Sequence, residues 1–436
     1  MSTQVRPGYK LTEVGVIPED WDVTTIGQVV NDFRGGAPLK PSEFTSTGVR
    51  VLPKGGVGYG GLLRVAEDEW QFCSQLYADE HINNQVDNNY TIIVLRDLVP
   101  SGPSIGLAVR ISDSNSYVLA QGVYGFKVSP QKLEQGYIIQ LSNTSPYRKL
   151  MNSIMVGSTQ VHITNTAYKL APIPLPPLPE QRAIAAALSD MDALISGLDQ
   201  LIVKKRDIKQ AALQQLLTGQ QRLPGFSGEW EMKRLGDIAE IRDGTHQTPR
   251  YVESGIPFYS VENVTSGDFV NTKFISEDEH RLLTKSFRIE QGDILMTRIG
   301  SIGDCKLVDW DVDASFYVSL ALLKIRNGYL PEFIFHYSRS SLFKKEIELN
   351  SLQSAIPKKI NLGPISHVRM IIPTDPAEQT AIATILSGMD SELATLETRR
   401  DKARQLKQGM MQELLTGRIR LSQSSQETKL CESQLA

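Results

Sequence analysis

Three things are scarce in this sequence, and each scarcity closes a class of function. Cysteine occurs three times in 436 residues, at Cys73, Cys305 and Cys431, far apart and with no CxxC pair. That spacing excludes a disulfide framework and a structural zinc site, and it fits a reducing cytoplasm, the expected location. No apolar run approaches the roughly 18 residues that span a bilayer, and the opening MSTQVRPGYK has no apolar signal core, so no membrane partner is expected. Catalytic signatures are missing together. The six histidines show no HExxH or paired ligand spacing. There is no GxxxxGK[ST] loop for ATP, and no acidic-Gly-x-Gly or Asn/Asp-Pro-Pro-aromatic run for methyl transfer. Gly56-Val57-Gly58-Tyr59-Gly60-Gly61 satisfies GxGxxG, but Leu62-Leu63-Arg64-Val65 opens no dinucleotide-binding helix and no βαβ unit surrounds it. The chain is therefore read as having no catalytic residue, no metal site and no cofactor of its own.

What is present is a repeat. Glu180 to Leu223 returns without a gap at Glu378 to Leu421, 198 residues later, with 21 of 44 positions identical. Apolar residues fall at Ile184, Leu188, Met191, Ile195, Leu198 and Ile202, and again at Ile382, Leu386, Met389, Leu393 and Leu396. This narrow seam predicts two long helices that pack along each other. Asp375, Pro376 and Glu378 supply an N-cap, a first-turn proline and a capping-box carboxylate, while Pro176, Pro177 and Pro179 stop the strand before the first copy. Gly219 and Gly417 stand where a left-handed C-terminal residue is wanted. Each rod should hold about 38 residues, roughly 57 Å at 1.5 Å per residue. Taken alone, such a pair could be a coiled coil that only dimerises the protein.

The repeat reaches beyond the rods. Trp21 followed by Ile26-Gly27-Gln28-Val29 recurs as Trp230 followed by Leu235-Gly236-Asp237-Ile238, 209 residues apart. Between these landmarks lie strand-like runs at Tyr90–Leu95, Val123–Val128, 293–296 and Phe316–Ile325. The two halves match weakly. Ile92 to Arg96 is set against Ile294 to Arg298, Ser104-Ile105-Gly106 against Ser301-Ile302-Gly303, and Gln160 to Ile163 against Gln353 to Ile356. The expected domains are 1–174, a spacer at 175–221, 222–374, a second spacer at 375–421, and a polar, disordered tail at 422–436.

A net charge of −3 argues against a generally adhesive nucleic-acid binder but leaves room for local basic faces. Polar, glycine-punctuated loops supply them. The candidates in the first half are Arg34, Lys54, Tyr59, Gln160 and His162; in the second they are Arg242, Thr245, His246, Gln247, Arg250, Arg298, Ser301, Gln353, Lys358 and Lys359. Arg, Gln and His suit base edges, and Lys, Ser and Thr suit phosphates. For each residue singly, a solvated loop is an equal reading; as a set on duplicated domains they favour DNA. The rod centres turn basic at Lys204-Lys205-Arg206 and Arg399-Arg400. That is either a solvated face or a docking surface.

With these stretches in hand, the chain resembles the specificity subunit of type I restriction-modification enzymes. The likeness is carried by Tyr9 to Trp21 (YKLTEVGVIPEDW), Leu175 to Gln181 (LPPLPEQ), Gly292 to Gly303 (GDILMTRIGSIG) and the LLTG sequences at Leu216 and Leu414. It covers the chain apart from the tail. The second rod entry, Pro373 to Gln379, departs from the Leu-Pro pattern. The resemblance implies an α+β fold with two pseudo-twofold related α+β target recognition domains separated by two long antiparallel helices. It implies double-stranded DNA as ligand, with a split target read half by half. Two modification (methyltransferase) subunits would dock on the rods, at Lys204, Lys205, Arg206, Leu216, Leu217, Arg399, Arg400, Leu414 and Leu415. Restriction subunits would join through the modification subunits, and the methyl donor and ATP would sit on those partners. The other class left open is an adaptor whose duplicated modules bind a protein or glycan.

Overall fold

The computed structural model describes residues 5–352 and 354–421. The tail expected to be disordered and the candidate Gln353 lie outside the described residues. The chain forms two compact units. One is built from the chain up to Leu198 and from Arg399 onward; the other is Asp199–Thr398. The boundary cuts through both rods, so each unit holds a recognition domain with half of each rod.

Both rods form as expected, as helices Leu178–Leu216 and Pro376–Leu414 of 39 residues each. Asp375 caps the second, its carboxylate accepting from Ala377 N at 2.8 Å, and Pro376 is the first helical residue. Gly219 and Gly417 both have φ of +69°, the left-handed stop. Within each unit the rod halves run antiparallel. In the first, Lys407 Nζ donates to Asp192 at 2.7 Å, and Ile184 and Leu188 share a core with Leu414 and Leu415. In the second, Lys209 donates to Asp390 and Lys205 to Glu392, and Leu213, Leu216 and Leu217 share a core with Ile382 and Leu386. Asp192 and Asp390 are equivalent in the repeat, as are Lys209 and Lys407.

Each rod starts at a buried glutamate. In the first unit, Glu180 accepts from Trp21 Nε1 at 3.0 Å and from Arg420 Nε and Nη2 at 2.7 and 2.8 Å, while Arg420 also grips Asp20. In the second, Arg222 Nε and Nη2 donate to Glu378 at 2.6 and 2.7 Å. Each arginine lies over the neighbouring tryptophan ring, at 5.8 Å for Trp21 and 5.7 Å for Trp230. Glu378 therefore does not close a capping box; an arginine three residues past the left-handed glycine takes its carboxylate. The following glutamines work alike. Gln181 Oε1 accepts from Glu134 N at 2.9 Å, and Gln379 Oε1 accepts from Leu330 N at 2.9 Å. The Glu-Gln pair thus ties each rod to its recognition domain.

Each domain stacks a four-stranded sheet against a second sheet and helices. In the first unit the order is Ala108–Arg110, Thr91–Val94, Val123–Val128 and Val30–Gly35. In the second it is Cys305–Leu307, Ile294–Thr297, Leu320–Ile325 and Ala239–Asp243. The run expected at Phe316–Ile325 is broken: Ser315–Phe316 pairs in parallel with Phe258 and Tyr259, and a turn precedes Leu320.

Register corrects the alignment of the halves. Val94 stands opposite Val123, and Thr297 opposite Leu320, the corresponding first residue of the returning strand. Gly106 N donates to Val94 O, as Gly303 N does to Thr297 O, both at 2.8 Å. Arg298 therefore corresponds to Leu95 and Ile299 to Arg96, one residue off the sequence match. Ile163 N donates to Leu95 O as Ile360 N does to Arg298 O, both at 2.9 Å. So His162 corresponds to Lys359, not to Ala355. A slip of one residue exchanges the two faces of a strand, which is why the correction matters.

Two outcomes are expected from this frame. Glu378→Ala strands the Arg222 guanidinium, so unfolding free energy should fall by about 3–5 kcal/mol in denaturant titration; a loss under about 1 kcal/mol would contradict that role. His336 is buried beside the second rod, its Nε2 2.9 Å from Ser387 Oγ, and Asp390, Arg339 and Lys209 are the charges that act on it. Burial pushes its pKa down to about 4 from 6.5. Between those values the unfolded chain binds the extra proton, so stability is full above pH ~6.5 and falls on acidification to pH ~4, by up to about 3 kcal/mol. His336→Gln, which copies Gln140 of the first half, should flatten that slope relative to the parent chain. Parallel pH profiles would contradict the assignment.

Candidate nucleic-acid interface

In the second unit three separate stretches meet at one end of the four-stranded sheet. The strand Ala239–Asp243 ends there, Ile294–Thr297 ends beside it, and the bridge between Ile299 and Lys359 brings in the third. Asp243 is the hub. Its carboxylate accepts from Arg298 Nη1 and lies 2.8 Å from His246 Nε2. Gly244 has no room for a side chain, since a Cβ would lie 2.6 Å from Phe316 O. Thr245 is pinned by its backbone, its N donating to Phe316 O at 3.1 Å and its O accepting from Val318 N at 3.0 Å. The Thr245 hydroxyl accepts from Gln247 N and donates to Gln247 O. Past this turn His246, Gln247 and Arg250 are exposed.

Several candidates are spoken for. Arg298 is 4% exposed and bound to Asp243, so its side chain is committed to shaping the loop. Arg242 pairs with Glu240 and lies over the Phe287 ring at 5.6 Å. Lys358 Nζ donates to Glu348 at 2.7 Å, and the Ser301 hydroxyl donates to Asp304. Lys359 is half-buried, with its backbone bridged to Ile299 and Leu352.

The first unit places Arg34, Lys54 and His162 at the same end of its sheet. Arg34 is held by its own neighbours. It donates to both Asp32 oxygens at 3.0 and 3.1 Å and to Gln85 O at 2.7 Å, and it lies 4.9 Å from the Tyr90 ring. The Arg34 guanidinium and the Tyr90 hydroxyl hold the Asp32 carboxyl below its usual range. Arg34 and Arg242 thus correspond, each tied to a carboxylate two residues earlier on its strand. Lys54 opens a short turn at Lys54–Gly56, Tyr59 is 63% exposed on the turn that follows, and Gln160 is exposed. His162 is half-buried and pairs across a two-residue ladder with Arg96. Arg96 is exposed and absent from the sequence candidates. Its signal was available, as the first charged residue after the run Tyr90–Leu95 and as the residue set against the candidate Arg298.

The rod candidates divide. Lys205 and Arg206 pair with Glu392 and Glu397 of the other rod. Lys204 and Arg399 are exposed, and Arg400 pairs with Asp401 at 2.8 Å. Leu216, Leu217, Leu414 and Leu415 are buried in the chain's own cores, where they anchor the rod ends, so they offer no side chain to a partner. Sequence reading missed Leu201 and Ile208, which stand on the outer face of the first rod, 38% and 44% exposed.

The duplicated frame has known counterparts. The family model described as the type I restriction modification DNA specificity domain matches twice, over residues 18–204 and 227–405. The chain belongs to this specificity family. Two relatives come from Methanocaldococcus jannaschii. The type I restriction enzyme MjaVIII specificity subunit is 29% identical over 227 residues, half of each chain. The MjaX specificity subunit, itself a provisional assignment, is 24% identical over 436 residues, 95% of this chain and 97% of that one. The crystal structure of a type I restriction-modification S subunit from M. genitalium superposes with a TM-score of 0.61 at 17% identity, covering 94% of this chain and 98% of that one, so the fold is shared. In the specificity subunit described here, no helix among the described residues is long and apolar enough to cross a membrane.

The Asp243–Arg298 hub of this specificity subunit is testable. The first half carries Gly35 and Leu95 at the equivalent places, an apolar replacement of a buried ion pair. Asp243→Gly alone leaves the Arg298 charge buried and should cost about 3–5 kcal/mol. Adding Arg298→Leu should recover part of it, with a coupling in the range of about 0.5–3 kcal/mol. Strictly additive losses in a double-mutant cycle would show that the two side chains do not form one unit.

Proposed function

We propose that this chain supplies the DNA target of a type I restriction-modification enzyme and has no catalytic step of its own. Its two recognition domains each bind one half of a split double-stranded site. The adenine methyl transfer and the ATP-dependent cleavage belong to modification and restriction subunits, which carry the methyl donor and ATP. One observation supports this above others: a frame repeated in its sheet register and rod ends presents unlike side chains at the same sheet end. Arg96 and His162 stand in one half where Ile299 and Lys359 stand in the other. A protein that reads two different sequences with one scaffold requires that combination, and a symmetric adaptor does not.

In the second unit the reading surface is built from Thr245, His246, Gln247 and Arg250, held by Asp243 and Arg298, with Lys359 beside them. In the first it includes Lys54, Tyr59, Gln160 and His162. Modification subunits, two per chain by the repeat, dock on the outer faces of the rods. Leu201, Lys204 and Ile208 support a patch of this kind on the first rod, because positions i, i+3 and i+7 share one helix face and all three are exposed. The restriction subunits join through the modification subunits.

The test is exchange. Replacing residues 222–374 with the same region of a relative of known target, in the assembled enzyme, should change one half of the methylated site and leave the other intact. Change in both halves, or in neither, would refute separate reading.

A further inference from the structure

At the end of each four-stranded sheet the chain forms a small antiparallel ladder, Arg96 with His162 in the first unit and Ile299 with Lys359 in the second. Residues directly opposite in such a pair carry their side chains on one face, with Cβ atoms about 4.5–5.5 Å apart. The Arg96 guanidinium and the His162 imidazole therefore share a face. Lys54 joins them across Gly122. A Cβ on Gly122 would lie 3.2 Å from the Arg96 Cβ and 3.5 Å from the Lys54 Cδ. The stems of the two cations flank a residue that has φ of +88° and that only glycine fills without strain.

Among the described residues neither Arg96 nor Lys54 makes an ion pair. The adjacent carboxylate, Asp97, accepts from the Ser104 hydroxyl at 2.8 Å and forms no ion pair with either cation. Four of the other basic candidates, Arg34, Arg242, Arg298 and Lys358, each have a carboxylate partner. The second half has Ile299 and Val261 at the places of Arg96 and Lys54, so the cluster is not part of the common frame.

The backbone beneath Arg96 is fixed. Leu95 N donates to Gly122 O at 3.2 Å and Ile163 N donates to Leu95 O at 2.9 Å. A guanidinium launched from a held strand presents its planar fork in a defined direction, the geometry that matches O6 and N7 of guanine in the major groove. An ammonium on a flexible stem, as at Lys54, suits a phosphate. Resting on the DNA-reading function above, we propose that Arg96 reads a guanine in the half-site bound by the first recognition domain, while Lys54 holds a phosphate beside it.

The experiment uses the full-length chain assembled with its modification subunits, with methylation profiling and competition binding as readouts. Arg96→Ile installs the residue found at the equivalent place, so the ladder is kept. It should lose roughly 5- to 150-fold discrimination at one position of one half-site and leave the other half-site unchanged. Arg96→Lys keeps the charge without the fork and should relax the same position, which secures the test should the isoleucine variant fold poorly. Lys54→Ala should weaken every sequence alike and lower the salt slope by about one. Intact preference at every position in both Arg96 variants overturns the proposal. So does a uniform loss of affinity with the preference unchanged, the behaviour of a phosphate contact. An unvaried assembly that methylates no split site would sink the function itself; a split site retained unchanged by the Arg96 variants sinks only the role of Arg96.

Discussion

A buried carboxylate at the first turn of each rod constrains the rest of the structure. Glu180 and Glu378 are almost wholly buried, and each is held bidentately by an arginine from just beyond the end of a rod. Such a pair contributes little net stability over an apolar substitute, because desolvation offsets most of the attraction. It does penalise every arrangement that leaves the charge unmatched. The carboxylate therefore fixes which residues meet, and the left-handed glycines at Gly219 and Gly417 turn the chain so that Arg222 and Arg420 arrive. In the first unit the same contact joins segments 400 residues apart: Arg420 also binds Asp20, and Tyr9 donates to Gly417 O at 2.9 Å. In the second unit the corresponding residues, Arg222 and Trp230, are neighbours in sequence. One latch is thus made once through the backbone and once through space.

That latch separates what must be constant from what can vary. The Glu-Gln pairs, the tryptophans, the rod ion pairs Asp192–Lys407 and Asp390–Lys209, and the four-stranded sheets recur in both units. The residues at the sheet ends do not. An ion pair at Asp243 and Arg298 becomes Gly35 and Leu95, and Arg96 with His162 becomes Ile299 with Lys359. Changes confined to the ends of a rigid sheet alter the surface offered to DNA without disturbing the core beneath it.

The repeat made much of the fold legible before any coordinates. A 4-3 apolar seam, a proline at a first turn and glycines after LLTG located both rods to within a few residues, because these signals act locally. The strands Thr91–Val94 and Val123–Val128 followed from β-branched runs for the same reason. The residues that stayed hidden are those whose role is set by tertiary contact. Glu378 looked like a capping carboxylate, and only the arrival of Arg222 shows otherwise. Arg34 and Arg298 looked like DNA readers, because sequence does not show Asp32 or Asp243 taking their charge. The leucines of LLTG looked like a docking surface, because burial depends on what the fold places over them. Arg96 was passed over because only the strand register places His162 opposite it.

The central claim is that one frame, used twice, reads two unlike DNA sequences. Genome-wide methylation mapping of DNA modified by the assembled enzyme tests it most directly. The account predicts a single split motif, with two dissimilar half-sites, a gap of constant length and methyladenine in each half. A continuous motif, or two identical half-sites, would contradict it.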